Sequence, residues 1–211
     1  MDNILIIGAH FDDCELGAGG FAAKMASEGK NVYKLTLTDN VTISGKMGID
    51  VDYQSSKNSS SDACRILGIN EITSYQPSKC GELIYTKETM QRVEEIISSL
   101  KIDTTIIHFK DDKNQDHVEA SRISETAARH CPNILAYQSN MYTLSTAYYP
   151  VFFVDISDYI SQKINALECY EKQHNRFNKL FQANISRNQF WGHSRKVDYA
   201  EAFHPIQFKL E

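Results

Sequence analysis

Short, largely apolar runs alternate with amphipathic stretches along most of this chain. Ile4 to Gly8 is an unbroken apolar run, as a strand buried on both faces requires. A helix follows over Gly17 to Gly29, with Leu16, Phe21, Ala22, Met25 and Ala26 on one face and Gly29 as its stop. Val32 to Leu37 predicts a second strand, ending at Thr38-Asp39-Asn40. The polar stretch from Val41 to Asn58 reads as a long loop, of the kind that serves as a lid or binding loop. Ser61 to Leu67 reads as a helix stopped at Gly68, and Lys87 to Leu100 as an amphipathic helix with Met90, Val93, Ile96, Ile97 and Leu100 on one side. Thr104 to His108 is a strand and Val118 to His130 a helix. Ile134 to Tyr137 and Val151 to Val154 are strands, and Ser157 to Leu180 a long helical region. This alternation predicts an α/β fold, with a mostly parallel sheet covered by helices on both faces.

In such a sheet, ligands bind beyond the carboxyl ends of the strands. His10, Asp12 and Asp13 follow the first strand, Asp39 follows the second, and Asp111 to His117 follow the Thr104–His108 strand. The fold therefore gathers these polar residues along one edge. A catalytic zinc takes three protein ligands and leaves one position for water. His10, Asp13 and His117 offer two imidazoles and a carboxylate, and the spacing of three between His10 and Asp13 lets both turn toward one ion. Asp12 then points elsewhere and is placed to take a proton from a metal-activated water and return it to a leaving amine. The same donor set suits Fe²⁺ as well as Zn²⁺.

Blander readings compete with each motif. His-x-Asp-Asp at a strand end is also a common capped turn, and Asp116 reads equally as the N-cap of a helix starting at Val118. Gly17-Ala18-Gly19-Gly20 lacks the G-x-G-x-x-G spacing of a dinucleotide site and fits close backbone packing better. His108 reads as a strand-end cap, and His130, His174 and His204 as surface or helix-end residues. Cys14 sits between Asp13 and Glu15, which disfavour a reactive thiolate.

Composition narrows the classes further. The 211 residues, 42% of them hydrophobic, suit a single domain spanning 1–211. A net charge of -5 without a basic block argues against nucleic acid as a partner. No apolar run reaches the ~18–20 residues of a membrane span, and the N-terminus reads directly into a strand rather than a signal peptide. The five cysteines are widely spaced and include no C-x-x-C pair, which fits a cytoplasmic protein.

Three segments resemble the PIG-L/LmbE-like N-deacetylase family. Ala9-His10-Phe11-Asp12-Asp13-Cys14-Glu15-Leu16-Gly17-Ala18-Gly19-Gly20 is similar to its A-H-P-D-D-x-E-x-G-x-G-G motif. Asp112-Lys113-Asn114-Gln115-Asp116-His117 is similar to D-x-H-x-D-H, and Tyr199-Ala200-Glu201-Ala202-Phe203 to Y-A-E-A-F. Asp155-Ile156-Ser157, with the Lys163 segment after it, also matches. The resemblance implies a Rossmann-like three-layer sandwich, zinc held by His10, Asp13 and His117, and Asp12 as general base. Asp116 would pair with the residue at 114, and Glu15 would support the metal loop. The implied reaction removes an N-acetyl or other acyl group from a small-molecule amino-sugar derivative, by attack of a zinc-bound water. Relatives often form trimers or hexamers, which makes a homo-oligomer an expectation here.

This chain departs from the pattern in three places. Phe11 replaces Pro. Asn114 replaces a His, so it can donate a hydrogen bond but carries no proton, which puts both proton transfers on Asp12. Ser56 and Ser59 stand where the family has R-x-x-E, with Lys46 or Lys57 as replacement cations. These departures motivate an alternative, a catalytically weakened metal- or sugar-binding protein of the same fold. A metal-free nucleotide-binding protein is the third reading. The 41–58 loop and the aromatic stretch Tyr142–Phe153 are the expected walls of the substrate pocket.

Overall fold

The computed structural model describes residues 1–44, 49–140, 142, 145–170 and 177–209. Its strands are β1 (Asn3–Gly8), β2 (Asn31–Thr36), β3 (Thr42–Ser44), β4 (Ile49–Val51), β5 (Asn70–Glu71), β6 (Thr104–His108), β7 (Asn133–Tyr137), β8 (Phe152–Asp155) and β9 (Ala200–Gln207). Seven of them form one sheet in the order β5-β2-β1-β6-β7-β9-β8. The first five are parallel, β9 is antiparallel to β7, and β8 is antiparallel to β9. β3 and β4 form a separate antiparallel pair.

The pleat of β1 divides the interior in two. Ile4 and Ile6 point into one core, with Leu16 and Phe21 of α1 (Asp13–Ser27), Ala63 and Leu67 of α2 (Tyr53–Leu67), and Ala166 and Leu167 of α5 (Ile160–Glu168). Leu5 and Ile7 point into the other, with Val93 and Ile97 of α3 (Lys87–Ser99), and Ile123 and Ala127 of α4 (Gln115–Ala127). A last helix, α6 (Gln182–Ser194), packs on β9: a Cβ on Gly192 would lie 2.6 Å from the backbone of Tyr199. This is the α/β three-layer sandwich with a mostly parallel sheet that the periodicity predicts.

Several boundaries differ from the sequence reading. The expected 41–58 loop contains the β3–β4 pair, and α2 begins at Tyr53, where Asp52 accepts from Ser55 N at 2.9 Å. Helix α4 begins at Gln115 rather than Val118 because Asn114, not Asp116, is its cap: Asn114 Oδ1 accepts from Asp116 N at 2.9 Å. The Ser157–Leu180 region starts with a 3-10 turn and α5, and its residues 171–176 lie outside the described ones. Strands β5 and β9 and helix α6 carried no assignment from periodicity.

Helix α1 is broken at Ala18 (φ -149°, ψ 21°). Gly17 packs so closely on Tyr137 that a Cβ there would lie 2.0 Å from the ring. An unbroken helix would join Gly20 N–H to Leu16 O across this point, and both groups take side-chain partners. Lys163 donates to Leu16 O at 2.9 Å. Glu201 accepts from Gly20 N at 3.0 Å and from Phe21 N at 2.6 Å, and pairs with Lys163 at 2.6 Å.

Candidate functional site

Strand β1 has β2 on one side and β6 on the other, so the chain leaves it in opposite directions, and a crevice opens beyond the carboxyl ends of β1 and β6. The β1–α1 turn carries His10, Asp12 and Asp13 into this crevice. Asp13 opens α1 and folds back to accept from His10 N at 2.7 Å. The loop after β6 carries Asp112, and the Asn114 cap sets the first turn of α4 so that Asp116 and His117 face the same point.

His10, Asp13 and His117 meet there. His10 Nδ1 lies 3.2 Å from His117 Nε2 and 3.3 Å from Asp13 Oδ2, and His117 Nε2 lies 3.3 Å from Asp13 Oδ1. Each imidazole has a carboxylate at its other nitrogen. His10 Nε2 is 3.2 Å from Asp116 Oδ2, and His117 Nδ1 is 3.1 Å from Asp112 Oδ2. These outer carboxylates favour the N–H on the outer nitrogen of each ring, which turns both inner lone pairs toward Asp13. Asp116 is itself fixed by Gly81 N at 2.7 Å and Leu83 N at 3.3 Å.

Two lone pairs and a carboxylate converging at such distances repel one another, and a cation between them removes the repulsion. Tetrahedral bonds of about 2.0–2.1 Å space donor atoms about 3.3 Å apart. The three separations fit that spacing, and a two-imidazole, one-carboxylate set is compatible with a divalent cation. Without a cation, a proton on His10 relieves the same repulsion. Burial works against a charge on His10, but hydrogen bonds to Asp116 and Asp13 outweigh it and hold its pKa well above the usual value. Burial alone would raise the Asp13 pKa, yet the neighbouring His117 and His108 pull it well below the carboxylate range. Asp112 and Asp116 are also lowered against burial, chiefly by hydrogen bonds to His117 and His10 respectively. The cluster is thus a concentration of carboxylate charge around two imidazoles.

The donors open onto a pocket of about 640 Å³, whose walls include Asp12, Asn40, Thr42, Cys80, Asn114, Asn140 and Tyr142. Asp12 lies on this wall beside Asp13. Asn114 commits its Oδ1 to the helix cap, which leaves its amide NH₂ as the group with hydrogens to donate.

Some residues stand elsewhere than the sequence reading has them. His108 is no simple strand cap. It is fully buried, stacks on His117 with ring centroids 4.2 Å apart, and its Nε2 lies 3.2 Å from Asp13 and 3.1 Å from both Ala9 N and the Tyr137 hydroxyl. Lys57 lies over the Tyr53 ring beside a separate small pocket, and Lys46 is outside the described residues. Ser56 accepts from Asn40 Nδ2 at 3.0 Å and Ser59 donates to Cys169 O at 2.7 Å, so α2 presents hydroxyls where the family pattern has charges. Sequence reasoning placed Asp112 in the second motif but gave it no role of its own. It also missed Cys80, whose thiol comes within 4.8 Å of donor atoms of His10 and Asp116 and whose surrounding loop carries no chemical signature.

Comparison with known proteins fits this geometry. The chain is 29% identical over 171 residues to the uncharacterized deacetylase YaiS of Escherichia coli (strain K12), covering 78% of this chain and 88% of the relative. It is 26% identical over 190 residues to the diacetylchitobiose deacetylase of Thermococcus kodakarensis, covering 82% and 70%. Among solved structures, the conserved protein TT1542 of Thermus thermophilus superposes with a TM-score of 0.83 at 25% identity, over 100% of this chain and 97% of that one. The 4-carboxy-2-hydroxymuconate hydratase GalB of Pseudomonas putida shares the fold at 18% identity (TM-score 0.80, covering 100% and 98%), so the fold alone does not name a reaction. No described helix is long and apolar enough to cross a membrane. The family model for PIG-L, GlcNAc-PI de-N-acetylase, matches residues 5–128, and the chain belongs to that family of deacetylases.

Proposed function

We propose that this protein is a zinc-dependent N-deacetylase that removes an acetyl or related acyl group from an amino-sugar derivative. The observation that carries the reading is the set of near-equal separations among His10 Nδ1, His117 Nε2 and the Asp13 carboxylate. These three residues would hold the cation, with Zn²⁺ the first choice and Fe²⁺ compatible. When bound, the cation supplies Lewis-acid polarisation of the acyl carbonyl and acidifies water. Asp116 and Asp112 keep the two imidazoles in the ligating tautomer. Asp12, on the pocket wall, takes the proton from the attacking water and returns it to the leaving amine. The Asn114 amide NH₂ donates to the oxygen that gains charge as the carbonyl is attacked.

The Thermococcus relative acts on diacetylchitobiose by its name, and the pocket walls here offer the amide and hydroxyl groups of Asn40, Thr42, Asn114, Asn140 and Tyr142, which suit a hydroxyl-rich sugar. That β1 and β9 share one sheet supports treating residues 1–211 as one domain.

The test is acetate release from a panel of N-acetylated amino sugars and their conjugates, with metal content measured on the same samples. Turnover that disappears in Asp12→Ala with metal retained, and metal that disappears in His10→Ala, is the expected result. Metal-loaded wild type without turnover, and a gain in Asn114→His, favours a binding protein with weakened catalysis. Wild type without stoichiometric metal overturns the reading.

A further inference from the structure

Below the β1–α1 turn lies a second layer of charge that the proposed reaction does not use. Lys34, on β2, is fully buried. Its Nζ lies 2.6 Å from Phe11 O, 2.6 Å from Glu15 Oε1, 2.9 Å from Ser60 Oγ and 3.0 Å from the Tyr170 hydroxyl. Tyr170 in turn reaches Phe11 O at 2.9 Å and Glu15 Oε1 at 3.2 Å. Two donors from different elements, β2 and the end of α5, therefore converge on one backbone carbonyl.

That carbonyl belongs to the peptide between Phe11 and Asp12. A peptide unit is planar, so fixing its oxygen fixes ψ of Phe11 and φ of Asp12. Those dihedrals carry the chain from His10 to Asp13. We propose that Lys34 is a positioning residue for the candidate metal centre: by clamping the Phe11 carbonyl and Glu15 from beneath, it sets the geometry in which His10 and Asp13 converge. This inference rests on the reading that His10, Asp13 and His117 hold a cation.

Packing alone does not account for Lys34. A buried ion pair is commonly no more stabilising than apolar residues of similar volume, so a Met at 34 would fill the space as well. What the ammonium adds is direction, through short donors aimed at a carbonyl and a carboxylate. Burial opposes its charge, but Glu15 and Tyr170 more than offset this, and its pKa stands well above the usual value. On the α2 side, the buried hydroxyl of Ser60 accepts from Lys34 and donates to Glu71.

The test measures zinc affinity of the full chain, stripped of metal, by competition with a chromophoric chelator, beside the melting temperature of each sample. Lys34→Met/Glu15→Leu removes both charges together and leaves no orphaned ion. Tyr170→Phe removes one hydroxyl and keeps the aromatic core. Groups that support metal ligands from one layer out are worth about 10–100-fold in affinity. The double variant is expected to melt cooperatively and bind zinc at least tenfold more weakly, with a smaller loss in Tyr170→Phe. Lys163→Met, cut from the other buried pair, is expected to lose stability and keep its affinity. Wild-type affinity in the folded double variant and in Tyr170→Phe overturns the proposal, as does an equal affinity loss in Lys163→Met. Absence of stoichiometric zinc from the wild type, or zinc binding undiminished in His10→Ala, refutes the metal reading instead.

Discussion

Helix α1 is braced by two fully buried Lys–Glu pairs of equal length, Lys34–Glu15 and Lys163–Glu201, each closing at 2.6 Å. Their partners differ. Lys34, paired with Glu15 in the first turn of the helix, grips the carbonyl of Phe11 in the turn that precedes it. Lys163 and Glu201 occupy the break inside it, where Lys163 takes a carbonyl left at the end of one segment and Glu201 takes two N–H groups at the start of the next. The charges match the dipole of each half: a cation on a C-terminal carbonyl, an anion on N-terminal amides. Burial also weighs differently on the two lysines, lowering the pKa of Lys163 and being outweighed at Lys34. An ion pair of the same chemistry thus bridges a helix break in one place and, on the proposal above, aims the candidate metal turn in the other.

Removing Glu201 gives the largest expected effect on stability. Glu201→Ala strands a buried ammonium and leaves Gly20 and Phe21 without acceptors. Breaking a buried pair from one side costs about 3–5 kcal/mol. In a chain of this size that lowers Tm by roughly 10 °C, read by calorimetry or circular dichroism. Zinc affinity below the melting range is expected to stay at the wild-type value. An unchanged Tm would mean that the pair is not what holds the break.

Zinc itself sharpens the comparison. A ligand that binds only the folded state adds about 2.7 kcal/mol at a hundred times its Kd. The Tm of the wild type is therefore expected to rise with zinc and fall on chelation, and each tenfold loss of affinity removes about 1.4 kcal/mol of that gain. Lys34→Met/Glu15→Leu should show a reduced rise at fixed zinc, and Lys163→Met the full rise from a lower baseline. Equal rises in both would abolish the distinction between the two pairs.

Gly17→Ala tests the cause of the break. The added methyl meets the Tyr137 ring, whose hydroxyl donates to Ile7 O and touches His108. Overpacking of this kind costs about 1–3 kcal/mol. Because the displaced ring leads through His108 to Asp13, a measurable loss of zinc affinity is also expected. This is the one place where damage at the break should reach the metal turn.

These features divide sharply by how far they were legible in the sequence. β1 and β7 announce themselves as apolar runs between turns, β6 through its β-branched Thr104 to Ile107, and α3 through its spaced Met90, Val93 and Ile97. His10, Asp13 and His117 stand at strand ends, where a parallel sheet gathers its chemistry, so their convergence follows from topology. Lys34 stands between Tyr33 and Leu35 and Lys163 between Gln162 and Ile164, and hydrophobic counting reads each as an exposed position. Glu201 lies in β9, where Glu201, His204, Pro205 and Gln207 obscure the strand pattern. The start of α2 was lost for a related reason: its inward positions are the small hydroxyls Ser56 and Ser60, which carry no apolar signal. Buried polar groups paired over long sequence separations are what periodicity cannot see, and both braces of α1 are of that kind.

The smallest expected effect concerns the other helix at the site. α4 is capped by a neutral carboxamide rather than a carboxylate, with Asn114 Oδ1 on Asp116 N. Asn114→Ala is expected to cost about 1 kcal/mol, and Asn114→Ser, which keeps a capping oxygen, only a fraction of that. Neither change touches the Asp112–His117 or Asp116–His10 contacts directly, so zinc affinity should hold in both. Turnover discriminates further: both variants lack the amide NH₂, so on the proposed mechanism both lose kcat, although only one loses the cap. A kcat loss confined to Asn114→Ala would mean that residue 114 acts through the position of α4 rather than by donating to the substrate.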